Sequence, residues 1–124
     1  QDAMLTYAAA VDERDRPRYL ACFEEDVEVV GFGTKTYRNR AQWVDYVWRA
    51  LDKYSATQHM LGPTLATISG NFAYTRTDVQ ALHFIAGEDT RFVLWGTYKT
   101  DMRRRGENWK ISRHELLVTG TSTY

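Results

Sequence analysis

The sequence holds one cysteine and two prolines in 124 residues, and it carries no net charge. A lone cysteine, Cys22, excludes an internal disulfide framework and any cysteine-rich zinc site. It follows Tyr19 and Leu20 at helical spacing and reads as a small buried hydrophobe. Lys plus Arg and Asp plus Glu both number 16. That balance argues against a nucleic-acid binder, whose affinity comes largely from neutralising phosphates. The one basic run, Arg103-Arg104-Arg105, precedes Gly106 and Glu107 and reads as the solvated tip of a hairpin. No stretch approaches the roughly 20 apolar residues of a membrane span, and no signal peptide is visible. The expected location is the cytoplasm. The sequence starts at Gln1 without an initiator Met, as a trimmed N-terminus would. Repeats, low-complexity segments and linkers are also missing, so residues 1–124 are read as one domain.

What is plentiful is aromatic residues, 14% of the chain, with four Trp and eight Tyr. They imply a large apolar core or a lined cavity. Met4, Leu5, Ala8 and Val11 follow helical spacing, and Asp12 falls on the same face. Asp15 can cap a second short helix with Pro17 in its first turn and Tyr19, Leu20 and Phe23 facing inward. Glu24-Glu25-Asp26 is expected to close that helix. Val27 to Phe32 is β-rich, and Thr34 to Tyr37 can return beside it as a hairpin. Asn39 or Arg40 opens a helix to about Tyr54, with Trp43, Val44, Val47, Trp48 and Leu51 forming a broad apolar stripe. From Thr57 the pattern changes to strands, at about 57–69, 72–86, 91–104 and 108–120. Gly62-Pro63 suits a bulge or an edge. Long antiparallel strands after three helices predict an α+β fold, a curved sheet wrapped around helices.

Strand parity predicts which side chains share a face. In 72–86 the odd positions, Ala73 to Ile85, are small and apolar apart from His83 and suit a concave, lined face. The corresponding odd set of the next strand holds Val93, Trp95 and Thr97. The odd set of the last strand puts Arg113 beside Trp109 and Ile111, with His114 on the opposite, solvent face. Asp12, His59, His83 and Arg113 are therefore polar groups on otherwise apolar faces. An isolated buried charge is costly, so such groups are normally paired. An Asp bonded to a His fixes its tautomer and leaves the other ring nitrogen free to take a proton. Arg113 could stabilise a developing anion or form a salt bridge to Glu115 or Asp101. Spacing alone does not bring these groups together.

Three segments resemble SnoaL-like members of the nuclear-transport-factor-2-like superfamily, and the likeness runs over nearly the whole chain. Val11-Asp12-Glu13-Arg14-Asp15 resembles the first-helix D-x-x-D of the scytalone dehydratases and hexachlorocyclohexane dehydrochlorinases. Thr57-Gln58-His59-Met60-Leu61-Gly62 is similar to the segment around a catalytic histidine of the dehydratases. Gly96-Thr97-Tyr98-Lys99-Thr100-Asp101, with Trp109 to Arg113, resembles the dehydrochlorinases, including a basic pocket position at Arg113. The resemblance implies a cone-shaped curved sheet around three helices. It also implies a dyad in which Asp12 orients and His59 abstracts, with His83 as a second pocket histidine. The pocket tyrosines of the dehydratases fall here near Val11 and near Gly31 or Phe32, and their pocket Asn falls at Thr97. Scytalone itself is therefore not the expected substrate.

The function expected from this resemblance is a cofactor-independent lyase, a dehydratase or dehydrohalogenase, acting on a small, mostly apolar molecule. The alternatives are an isomerase or polyketide cyclase, or a non-catalytic ligand-binding module of the same fold. The expected catalytic set is Asp12, His59, His83 and Arg113. Phe32, Trp48, Val79, Trp95 and Thr97 are expected to contact substrate. Asp12, His59 and His83 have the makings of a two-His-one-carboxylate metal set, but the resemblance points to chemistry without metal or cofactor. Leu82, Phe84, Leu94, Tyr98 and Met102 are expected on an outer apolar sheet face. Such a face needs cover, so a homodimer or homotrimer joined sheet to sheet is expected.

Overall fold

Side-chain caps mark where two of the helices begin. The Asp15 carboxylate accepts from the backbone N–H of Arg18 and starts α2 (Arg16–Leu20), with Pro17 in its first turn. The Asn39 side chain accepts from Gln42 N and starts α3 (Arg40–Leu51). Each cap satisfies a backbone donor that the helix leaves free. A computed structural model describes residues 2–124, which form three helices and six strands. Helix α1 (Asp2–Asp12) precedes α2. The strands are β1 (Phe23–Val30), β2 (Tyr54–Leu61), β3 (Leu65–Ser69), β4 (Phe72–Ile85), β5 (Arg91–Arg105) and β6 (Asn108–Thr123).

The strands form one curved sheet in the order β1-β6-β5-β4-β2, with β3 also pairing with β4. Only β1 and β6 run parallel; the other pairs are antiparallel. This is the expected α+β layout. Gly62 and Pro63 break the first long strand into β2 and β3, which pair with successive parts of β4. Proline lacks the N–H that a continuous ladder would use there. Glu24, Glu25 and Asp26 do not close a helix: they lie within β1, with Phe23 and Val27 buried on its inner face. The return strand at Thr34–Tyr37 is reduced to a single bridge between Val29 and Tyr37. On α1 the inward stripe is Met4, Tyr7, Ala8 and Val11, while Leu5 is exposed.

Register decides which side chains enter the concave face. In the β4–β5 ladder Ala81 pairs with Leu94, Val79 with Gly96, and Thr77 with Tyr98. Paired residues share a face. The inward odd positions of β4 are thus matched by even positions of β5. Leu94 lines the interior cavity, and Tyr98 and Met102 are buried in the core, where an outer face had been expected for all three. Trp95 and Thr97 turn outward instead. The second reversal lies in β6. Asp101 pairs with Arg113, but Met102 pairs with Ile111, so Ser112 is an extra residue. A one-residue bulge flips every side chain beyond it. Ile111, His114 and Leu116 are buried, and Arg113 and Glu115 face outward.

Candidate active site

Asp12 is the last residue of α1, which packs its C-terminal end against β2. From there its carboxylate receives three hydrogen bonds. The backbone N–H of His59 donates to Oδ2 at 2.7 Å, the His59 ring Nδ1 donates to Oδ1 at 2.7 Å, and Thr57 Oγ1 donates to Oδ1 at 3.0 Å. Thr57 and His59 are two apart on β2, so both side chains point to the helix side of the sheet. Both Asp12 and His59 are largely shielded, with side-chain exposures of 19% and 12%. Burial alone would raise the Asp12 pKa. The hydrogen bonds from the His59 ring and backbone, its charge interaction with that ring, and the Thr57 bond outweigh burial and hold the carboxyl below its usual range. A carboxylate can only accept, so it requires the proton on Nδ1 of His59. In the neutral form of the ring the remaining nitrogen, Nε2, then carries the lone pair.

His59 forms part of the wall of a cavity of about 170 Å³ between sheet and helices. Helix α1 contributes Tyr7 and Val11, α2 Tyr19, and α3 Trp43, Tyr46, Val47, Ala50 and Leu51. The sheet contributes Tyr54, Ala81, His83, Leu94, Tyr98 and Leu116. Phe32 enters from the turn after β1, where Gly31 has φ 91° and Gly33 φ 93°. A Cβ at Gly31 would collide with the Leu116 carbonyl oxygen. Only glycine permits this crossing, and the crossing is what delivers Phe32 to the cavity.

His83 stands beside His59, with ring centroids 6.0 Å apart. Its Nδ1 donates to the Phe92 carbonyl at 3.1 Å, since a carbonyl can only accept. Burial is the main influence on its pKa and lowers it, so His83 is a neutral imidazole. Two imidazoles thus share one apolar cavity.

Arg113 does not join them. It bonds to Glu28 at 2.8 Å and Glu115 at 3.2 Å on the outside of the sheet. Those two hydrogen bonds raise its pKa further. The Ser112 bulge is the reason, and the cavity wall contains no Lys or Arg. Trp95 faces outward and donates to Gln80, and Thr97 donates to Asp78 at 2.8 Å. Trp48 packs behind the wall against Tyr19, beneath Arg16, and Val79 lies in the core away from the cavity. Asp12 is also no free metal ligand, because donors already occupy both its oxygens. Cys22 is half-buried with Sγ on the Arg18 carbonyl, and burial pushes its thiol up to about 11.

His114, read from the sequence as a surface residue, is fully buried. It bonds Thr100 Oγ1 at 2.8 Å and the Tyr7 hydroxyl at 3.1 Å. Burial pushes its pKa down to about 3, so it too is neutral. Its ring packs against that of Tyr98, centroids 4.7 Å apart and tilted by 39°, behind the cavity wall.

Comparison with solved structures finds this architecture repeatedly. A candidate scytalone dehydratase from Novosphingobium aromaticivorans superposes with a TM-score of 0.92 at 24% identity, covering 99% of this chain and 83% of that one. A candidate aromatic ring hydroxylase from the same species gives 0.90 at 25% identity, covering 100% and 90%. A hexachlorocyclohexane dehydrochlorinase from Novosphingobium barchaimii gives 0.88 at 19% identity, covering 100% and 86%. No curated protein matches the chain in sequence. The SnoaL-like domain model matches residues 1–115, and the chain belongs to the SnoaL-like domain family.

Proposed function

We propose that this protein is a cofactor-independent lyase, and that His59 is its base. One observation carries the reading: His59 Nδ1 lies 2.7 Å from Asp12 Oδ1 while the same ring lines an apolar cavity. Asp12 stabilises the imidazolium that forms when Nε2 takes a proton. The proton comes from a carbon next to one bearing a leaving group. The C–H electron pair becomes the new C=C bond as the bond to the leaving group breaks. A halide departs as the anion, whereas a hydroxide leaves as water with the proton His59 has just accepted.

The substrate on this reading is small, neutral and mostly apolar. A carboxylate or phosphate would need a cation, and the wall has none. Cavities of about 150 Å³ hold a benzene-sized molecule, so a single ring with small substituents fits the 170 Å³ here. His83 favours a second reading, isomerisation, because a second imidazole beside His59 can return the proton to a different carbon. A panel of small cyclic halides, alcohols and enones, screened by thermal shift and then for turnover, tests both. His59→Gln should abolish turnover and keep the fold. Full activity in that variant would move the base elsewhere.

We also propose a homodimer or homotrimer formed through the outer sheet face. Its exposed apolar side chains include Phe72, Tyr74, Trp95 and Leu117, whereas Leu94, Tyr98 and Met102 lie inside. Light scattering at micromolar concentration should return a multiple of the 14.4 kDa chain mass, and a clean monomer would refute this.

A further inference from the structure

Among the described residues, Arg14 is the one non-glycine residue with left-handed backbone, at φ 59°. It follows α1 at the position where glycine usually ends a helix, because an L side chain is strained there. Its guanidinium folds back into the protein. Nη1 donates to the Val11 carbonyl at 2.7 Å and to Thr57 Oγ1 at 2.9 Å, and Nη2 is buried. The bond to Val11 is an ordinary helix cap. The bond to Thr57 reaches further. A hydroxyl has one proton, and with Arg14 on its lone pair Thr57 directs that proton to Asp12 Oδ1 at 3.0 Å. The chain of contacts therefore runs from Arg14 through Thr57 and Asp12 to His59, behind the cavity.

We propose that Arg14 is a positioning residue of the Asp12–His59 pair: it locks Thr57 as a donor to Asp12, and its charge opposes the addition of a second proton to the His59 ring. The inference deepens the reading of His59 as a base and rests on it. Asp12 by itself would favour an imidazolium, which has no lone pair to offer. A fixed cation two hydrogen bonds behind the carboxylate opposes that, and partial burial limits screening by water. The other groups around His59 are Tyr7 on α1, Tyr19 on α2, Tyr46 on α3, Tyr54 on β2, His83 on β4 and Tyr98 on β5. The phenols and His83 are uncharged near neutral pH, so Asp12 and Arg14 set the local balance of charge.

The test is an NMR titration of the His59 ring in the wild-type chain and in Arg14→Gln, Arg14→Gly and Arg14→Lys. Loss of the guanidinium should raise the His59 midpoint by about one pH unit in both Arg14→Gln and Arg14→Gly. Glycine takes the left-handed backbone without strain, so Arg14→Gly keeps the fold even where Arg14→Gln does not. Lysine keeps the charge and should restore most of the midpoint. A purely capping role predicts changes in melting temperature with no movement of the His59 midpoint, and that result overturns the inference. The titration needs no turnover. A shifted midpoint in a protein that turns nothing over refutes the lyase reading alone, and an unshifted midpoint in an active enzyme refutes the role of Arg14 alone.

Discussion

Replacing Asp12 with Asn tests the dyad at the level of a single proton. The carboxylate is an acceptor at both oxygens, and it faces donors on both: Oδ1 meets the His59 ring and Thr57, and Oδ2 meets the His59 backbone N–H. An amide presents one acceptor and one donor group. The backbone N–H cannot change, so the amide oxygen must face it. The NH2 group then falls against Nδ1 and Thr57 Oγ1. It can donate to Nδ1 only if that nitrogen gives up its proton, so His59 switches to the tautomer protonated on Nε2. The ring then points a hydrogen into the cavity. The Thr57 hydroxyl keeps acceptor roles only, and its own proton loses its partner. All three contacts survive, two of them reversed, but each loses its charge assistance and the Thr57 proton is left unpartnered, a cost of about 1–3 kcal/mol in stability. Rate should fall on the order of 100-fold or more, as expected when a general base is disabled. Nitrogen-15 shifts of the His59 ring report the tautomer directly, and denaturant unfolding reports the stability. An Asp12→Asn protein whose His59 still carries its proton on Nδ1 would refute the reasoning, whatever its activity.

Three further outcomes follow from the same geometry. The Asp12 pKa is lowered in the folded chain, so its contribution to stability is complete above the unfolded carboxyl pKa and disappears as pH falls through the folded one; Asp12→Asn should flatten that acid limb in urea titrations. His114 is buried and neutral with a folded pKa of about 3 against an ordinary 6.5, so stability should decline as pH falls from about 6.5 towards 3, by on the order of a few kcal/mol. His114→Phe should remove that decline and cost about 2–3 kcal/mol at pH 7, by leaving the Tyr7 and Thr100 hydroxyls without their partner. Gly31→Ala should destabilise by roughly 3 kcal/mol or more, because a Cβ there meets the Leu116 carbonyl at a backbone φ of 91°; unfolding curves close to wild type would show that the turn carrying Phe32 can relax.

Legibility in the sequence tracks how local each feature is. The helix caps at Asp15 and Asn39 act over three residues and are readable directly. The inner face of β4 is readable because the strand runs unbroken from Phe72 to Ile85. The inner face of β5 is not, because it depends on how β5 slides against β4. The pairing of His83 with Phe92 matches odd positions to even ones, and no residue within β5 announces that. Parity within β5 alone therefore points Trp95 and Thr97 inward, and the register with β4 turns them outward. The hydrogen bond between Asp12 and His59 spans 47 residues. Helical spacing placed Asp12 on an apolar face, but the likeness to a known family was needed to connect it to His59.

The Ser112 bulge left a trace that parity, applied strand by strand, overlooked. Within 108–118, Trp109 and Ile111 demand that odd positions face inward. Arg113 and Glu115 demand that odd positions face outward, and His114 and Leu116 agree with them. No regular strand satisfies both halves, and one inserted residue between Ile111 and Arg113 satisfies both at once. The consequence is chemical as well as geometric. Without the bulge, a guanidinium would enter an aromatic interior beside Tyr7 and Tyr98, and His114 would lie outside. With it, Arg113 finds Glu28 and Glu115 on the outer face, and the interior keeps a neutral imidazole. One residue's worth of register therefore keeps a fixed charge out of the interior. On the proposed reading, that single register step favours neutral substrates over charged ones.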